Sequence, residues 1–370
     1  MELRRVELLE VWVRLKSPFE TSFGKTLERP AILVRAEERG GEVGWGEVVA
    51  DSGPWYSYET NETAWHVIRD FILPQLKGDV GPRGFPALVS RIRGHNMAKA
   101  GVEMALWDLA AKLEGRPLWQ YIGGVRDRIA SGVSVGIQPS LEDLVRVVDS
   151  YVQEGYQRVK IKIRPGYDVE PVRRLREALS PSLKLQVDAN AAYTLSDVEV
   201  FRRLDDFGLL MIEQPLGWRD LVDHAELARH IRTPICLDES VADADDARKA
   251  YQLGSAMIIN VKPARVGGLG ETLRIHDLWY RQLGRPIWIG GMLETGVGRG
   301  HLVAAATLEG VRYPNDISAS SRYYEEDIVE PPWELNRDGT ISAPRASGIG
   351  AEVLEDKVRS AAKRAYEFRP

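Results

Sequence analysis

Six ionisable residues carry the chemical signal of this sequence through their spacing. Lys160 and Lys162 stand in VKIKI, Asp188 ends LQVD, Glu213 ends LMIE, Asp238 ends ICLD and Lys262 ends INVK. From Lys162 onward the separations are 26, 25, 25 and 24 residues, one strand-plus-helix unit each. VKIKI alone reads as an edge strand with its amines in water, because alternation puts both lysines on one face. One acid after a strand reads as the cap of the next helix. Five ionisable residues in one phase, each after an apolar run, read instead as a single site.

The chemistry of that site follows from its charges. Acids placed directly after LQV, LMI and ICL face inward, and buried carboxylates need a compensating cation. No three arginines match Asp188, Glu213 and Asp238 in register. A bound divalent ion resolves the repulsion, and all-oxygen ligation suits Mg²⁺ first and Mn²⁺ second. Zinc is disfavoured, since none of the six histidines stands at a strand end.

Lys162 lies one strand before the acids and Lys262 one strand after them. In a closed barrel this sets two amines on opposite sides of whatever the metal holds. A divalent ion and a neighbouring ammonium both favour the neutral amine, and Lys160 is that neighbour for Lys162. The two lysines are then a candidate base and acid for removing a proton beside a carboxylate, with the ion stabilising the enediolate. The chain has 12 lysines against 37 arginines. A lysine at a site position is therefore mildly informative, because only lysine readily gives up its proton.

The elements that position these residues alternate. From about residue 130, eight short apolar runs occur, the first seven each followed by an amphipathic stretch and the last being YPNDISAS. This pattern predicts a parallel sheet. Eight strands in about 195 residues favour a closed (β/α) barrel with the site at its C-terminal rim. Periodicity alone leaves an open sheet as the alternative. Residues 1–124 read as an α+β unit, with strands in RRVELLEVWVRL and AILVRAEERGGEVGWGEVV and a helix in AKAGVEMALWDLAAKLEG. The barrel is expected over 125–324. Residues 325–370, with a strand-like WELNRDGTI and a final helix, are expected to pack back on the N-terminal unit.

Composition narrows the function classes. A formal charge of −5 and a pI near 5.8 give no basic footprint for nucleic acid or an anionic membrane. No apolar run reaches membrane-spanning length, and MELRRVELLEVWVRL does not read as a signal peptide. The single cysteine, Cys236, excludes an intramolecular disulfide and suits the cytoplasm. VGGLG and GVGRG are incomplete as dinucleotide fingerprints and read as tight loops. Ser240 has no histidine partner in sequence to make it a nucleophile.

VKIKI, VDAN, IEQP, LDES and NVKPARVGG resemble the enolase superfamily, muconate-lactonising subgroup. PFETSFG, GVEMALWDLAAK, GGMLETGVGRG and DISASSRYYEEDI extend the likeness over nearly the whole chain, towards the o-succinylbenzoate synthase / N-acylamino acid racemase family. That resemblance implies a (β/α)7β TIM-like barrel under an α+β capping domain. It implies Asp188, Glu213 and Asp238 as Mg²⁺ ligands, with Lys162 as the base and Lys262 as the opposite amine. Lys160 would tune Lys162 and help hold a substrate carboxylate. Asn190 and Glu239 would lie beside the ligands or the substrate, and Arg265 near Lys262. Phe19 to Gly24 and Ser52–Tyr56 would form the lid, while Ser134, Gly291 and Met292 would line the pocket. PIWIGGMLE lacks the histidine base of mandelate-racemase-like enzymes.

The implied substrate is a small-molecule carboxylate and the implied assembly a homo-oligomer. The implied reactions are the dehydration that gives o-succinylbenzoate for menaquinone and the racemisation of N-succinyl or other N-acylamino acids. Dipeptide epimerisation, cycloisomerisation and a non-catalytic metal-binding barrel are the alternatives.

Overall fold

The protein is described by a computed structural model covering all 370 residues. Three strands open the chain: β1 (Leu3–Thr21), β2 (Gly24–Glu38) and β3 (Val43–Val48). The helix Asn96–Leu113 lies directly on β3. Gly44 and Gly46 permit that approach: a Cβ at either would stand 2.2 Å from Ala105 O or 2.0 Å from Gly101 O. No other residue fits there without moving the helix.

The tail departs from the expected ending. The final helix is short, Glu355–Ala361, and the chain continues as a strand, Ala362–Phe368. This strand pairs antiparallel with β1, with Phe368 opposite Val6, and forms the edge of the four-stranded cap sheet. Alternation over AKRAYEF suits that edge, with every second residue turned to solvent. WELNRDGTI gives only a three-residue strand, Thr340–Ser342, paired with Arg128–Ala130.

The barrel strands are Gly132–Val135, Arg158–Lys162, Leu185–Asp188, Ile212–Glu213, Ile235–Leu237, Ile258–Val261 and Ile287–Ile289. They are parallel, neighbour one another in chain order and are buried along their length. Both faces are covered, which is why they read as continuous apolar runs.

The segment after the seventh strand closes the ring. Asp316 N donates to Ile289 O on one side, and Gly132 N donates to Asn315 O on the other. Pro314 interrupts this eighth strand, and the Asn315 side chain substitutes for part of the ladder, accepting from Ile289 N at 2.9 Å. The sheet is therefore closed, and the open alternative is excluded.

The cap lies over the C-terminal mouth. Ile137 N donates to Glu20 O at 2.9 Å, and Ser22 Oγ donates to Asn190 O. Buried carboxylates fasten the two parts. Glu103 accepts from Leu269 N and Gly270 N at the start of the Leu269–His276 helix. Asp108 accepts from Trp45 N and Ile349 N, which ties the C-terminal segment to the N-terminal part of the cap rather than to the barrel.

Candidate active site

Register brings the site together before any side chain is considered. Lys162 is the Cα partner of Asp188, and Asp188 of Glu213. Asp238 follows the next strand, and Lys262 follows the one after. Asp188, Glu213 and Asp238 are fully buried, and Lys160 is 2 % exposed. The edge-strand reading of VKIKI is overturned: the strand is paired on both sides, and Lys160 and Lys162 are buried and border the cavity at the barrel mouth.

Lys162 Nζ donates to Asp188 Oδ2 at 2.6 Å and to Asn190 Oδ1 at 2.8 Å. Asn190 in turn donates to Glu239 Oε1 at 3.2 Å. Lys160 Nζ lies 3.0 Å from Glu213 Oε2, 3.2 Å from Asp188 and 3.1 Å from Asp316. Lys262 Nζ donates to Asp238 Oδ2 at 2.8 Å and to the Tyr56 hydroxyl at 3.2 Å. Arg265 donates to the other Asp238 oxygen and, through Nη2, to Asn260 O.

One cavity is bordered by Phe19, Ser134, Lys160, Lys162, Asn190 and Lys262, and by Gly291 and Met292 on its far wall. Glu239 and Arg265 lie outside that wall. Of the lid segments, Phe19, Thr21, Phe23 and Tyr56 reach the cavity, while Ser52 and Trp55 stay in solvent.

The chain bends sharply after two of the acids. Asn190, Ala191 and Gln214 hold φ values of +43°, +62° and +37°. Left-handed non-glycine residues store strain and persist only where surroundings enforce them. Here Gln214 Oε1 accepts from Asp238 N, and Asn190 is gripped by Lys162 and Glu239.

The electrostatics correct one expectation. Lys262, with Lys162, is expected to be pushed towards the neutral form, and Lys160 to be the charged neighbour. At Lys262 burial does push that way, but Asp238 and Tyr56 outweigh it. At Lys160 burial is likewise outweighed, by Asp316, Glu213 and Asp188. Both ammonium groups are held above their ordinary range. No three of the His, Cys, Asp and Glu side chains are gathered closely enough to enclose a metal ion. Asp188, Glu213 and Asp238 each turn an oxygen to a lysine instead.

The donor chemistry nevertheless fits a hard divalent cation. Burial and the neighbouring Asp188 raise Glu213 above the usual carboxylate range. Burial, Asp238 and Asp188 do the same to Glu239, whose buried Oε2 has no hydrogen-bond partner. At these two glutamates burial and the neighbouring acids outweigh the cations, whereas Lys162 and Lys160 hold Asp188 low, and Lys262 and Arg265 hold Asp238 low, despite burial.

Asp316 is the site residue that the strand-end pattern had not included. It ends the eighth strand, accepts from Ser134 Oγ at 2.7 Å, and is lowered to about 2 because Lys160 and Arg158 outweigh its burial. Two further strides of about 25 residues from Lys262 end near it, so the signal lay in the same periodicity.

Fold and site together define a capped (β/α)7β barrel with lysines and carboxylates converging at the C-terminal mouth. The chain belongs to the mandelate racemase / muconate lactonizing enzyme family of the enolase superfamily. Its residues 3–123 match the mandelate racemase / muconate lactonizing enzyme N-terminal domain, and 143–357 match the enolase C-terminal domain-like family. A relative described as o-succinylbenzoate synthase, from Geobacillus stearothermophilus, is 50% identical over 95% of this chain and 94% of its own length. A relative described as N-succinylamino acid racemase, from Thermus thermophilus, is 48% identical over 95% of each. A crystal structure of an enolase-superfamily member from Listeria innocua superposes with a TM-score of 0.95 at 38% identity, covering 100% of this chain and 99% of that one. Magnesium binding is general in this superfamily. No helix of the chain is long and apolar enough to cross a membrane.

Proposed function

We propose that this protein abstracts a proton α to a carboxylate, acting as an o-succinylbenzoate synthase, an N-succinylamino acid racemase, or both. The observation that carries the reading is the placement of Lys162 and Lys262 on opposite sides of one cavity, with three buried acids on the strands between them. The names of the relatives near 50% identity supply the substrate class.

Asp188, Glu213 and Asp238 would hold Mg²⁺, with Mn²⁺ as the second choice. When bound, the ion would supply positive charge where the substrate carboxylate gains electron density.

In the racemisation, neutral Lys162 takes the α-proton and the C–H pair moves into the carboxylate to give an enediolate. The Lys262 ammonium then returns a proton to the opposite face. The reverse direction exchanges the two roles. In the dehydration, Lys162 again takes the α-proton, the C–O bond on the same face breaks, and the hydroxyl leaves as water with the proton that Lys162 carries. Lys160 keeps its charge beside the carboxylate end of the substrate. Asn190 and Glu239 orient Lys162, and Arg265 holds Asp238 against Lys262. Ser134, Gly291, Met292 and Phe19 shape the cavity. We assign the cap to 1–124 and 325–370 and the barrel to 125–324, in a cytoplasmic enzyme that assembles from identical copies.

The test is α-proton exchange. With Mg²⁺ and N-succinyl-L-phenylalanine in D₂O, proton NMR is expected to show loss of the α signal. The dehydration substrate, run in parallel, ranks the two reactions. Absence of exchange and of dehydration with metal bound defeats the proposal, and exchange that survives in Lys162→Ala defeats the assigned role.

A further inference from the structure

The loop after the seventh barrel strand holds a conformation that its own sequence does not favour. Leu293 sits at φ +60°, next to Gly291 and Met292 on the cavity wall. A left-handed leucine is disfavoured by contact between its Cβ and the backbone, so something outside the loop must hold it.

Two side chains from distant parts of the chain converge on the Leu293 carbonyl. Arg29, on β2 of the cap, donates to it through Nη1 at 2.5 Å. The Tyr324 hydroxyl, from beyond the eighth strand, donates to it as well. Both are buried, with Arg29 4 % and Tyr324 2 % exposed; Arg29 also borders the cavity, whereas Tyr324 does not and can act on it only through the loop.

Arg29 is itself fixed from the cap. Its Nη1 also lies 3.2 Å from Glu47 Oε1, and Glu47 on β3 is fully buried. Glu47 further accepts from Thr295 Oγ1 at 2.6 Å and from Gly298 N at 2.9 Å. One cap carboxylate thus holds the start of the helix Gly296–Ala306, and its arginine partner holds the turn just before it. The wall of the cavity is clamped by the cap, although the loop belongs to the barrel.

We infer that Arg29 and Tyr324 are positioning residues that fix the Gly291–Leu293 wall and thereby set which group remote from the α-carbon the cavity accepts. Neither is required for proton transfer. Without the two donors, the Leu293 carbonyl loses both partners and the turn relaxes towards ordinary φ, which displaces Met292. The inference borrows only the substrate class from the proposed function.

Two variants and two readouts test it. Arg29→Met removes the clamp but leaves Glu47 without its cation, so Tyr324→Phe, which removes only a hydroxyl, is made beside it. α-Proton exchange is measured in D₂O with N-succinyl-L-phenylalanine and with N-succinylglycine, which lacks a side chain. KM for the phenylalanine compound is expected to rise about tenfold in Arg29→Met and about threefold in Tyr324→Phe, with smaller changes for the glycine compound and kcat altered less than about threefold. A fall in kcat at constant KM, an equal loss on both compounds, or unchanged KM in both folded variants overturns the inference. The second readout is the methyl signal of ¹³C-methyl-labelled Met292, identified by its absence in Met292→Leu. It is expected to shift in both variants, and an unmoved signal overturns the inference. If the wild-type protein exchanges neither compound and dehydrates nothing, the proposed function fails and this methyl signal alone decides the clamp.

Discussion

Tyr56 and Lys262 meet across the boundary between cap and barrel. The Tyr56 hydroxyl accepts from Lys262 Nζ at 3.2 Å and donates to Asp238 Oδ1 at 2.8 Å. The ammonium also lies 4.6 Å from the centre of the tyrosine ring. The position of Lys262 is therefore set partly by a residue of the lid.

Tyr56→Phe keeps the ring and removes the hydroxyl. In the proposed mechanism racemisation uses Lys262 and the dehydration does not, so the two reactions should respond differently. The variant is expected to lose about tenfold in kcat for racemisation, the scale of one hydrogen bond, and to keep dehydration within about threefold. Parallel assays on both substrates check this, and an equal loss in both would remove Tyr56 from the control of Lys262.

Metal removal addresses the acids. Dialysis against a chelator is expected to abolish α-proton exchange, with Mg²⁺ restoring it fully, Mn²⁺ at least in part, and Zn²⁺ poorly, because the donors are all oxygen. Asp188→Asn and Asp238→Asn should each weaken Mg²⁺ binding measured by calorimetry. Activity that persists in the chelated protein would refute the assignment of Asp188, Glu213 and Asp238.

Asp316→Asn leaves a buried ammonium with one partner fewer. Lys160 then faces only Glu213 and Asp188 among carboxylates, against the Trp288 ring 5.1 Å away. Removing one member of a buried ion cluster costs about 3 kcal/mol. Denaturant unfolding measures it, and a loss below about 1 kcal/mol would mean that Asp316 is dispensable to the cluster.

Glu103 makes part of the stability depend on pH. Burial lifts its carboxyl from 4.5 to about 7, against the pull of the Leu269 and Gly270 amides. Between those values the folded protein holds a proton that the unfolded chain has released. Stability from this group is therefore complete below about pH 4.5, falls as pH rises to about 7, and is flat above; the whole change is about 3 kcal/mol. Glu103→Gln costs a hydrogen bond at every pH but cannot titrate. The difference in unfolding free energy between wild type and variant should thus shrink from pH 4.5 to 7, and a difference independent of pH would show that Glu103 ionises normally.

The strand ends were legible because register converts sequence spacing into proximity. Residues one strand-plus-helix unit apart, such as Lys162 and Asp188, become Cα partners in adjacent parallel strands. Closure of the barrel was less legible, since the eighth strand is broken by Pro314 and finished by the Asn315 side chain. The last strand was hidden for a different reason: Ala362–Phe368 is a strand only because β1 offers it an edge, and nothing local encodes that partner. The charge state of the lysines depends on which carboxylate oxygens point where, and spacing does not contain that. The clamp on Leu293 escaped for the same reason, because Arg29 and Tyr324 meet at a backbone atom.

The edge strand Ala362–Phe368 lies against the very start of the chain, with the whole barrel between them in sequence. A chain emerging from the ribosome N-terminus first carries β1 unpaired on that side while every barrel strand appears. The roof over the mouth gains its last edge only after the barrel has been synthesised. The cap sheet thus gains its fourth strand only after the barrel strands are made, although the cap residues that border the cavity, Phe19, Phe23 and Tyr56, precede them in the chain.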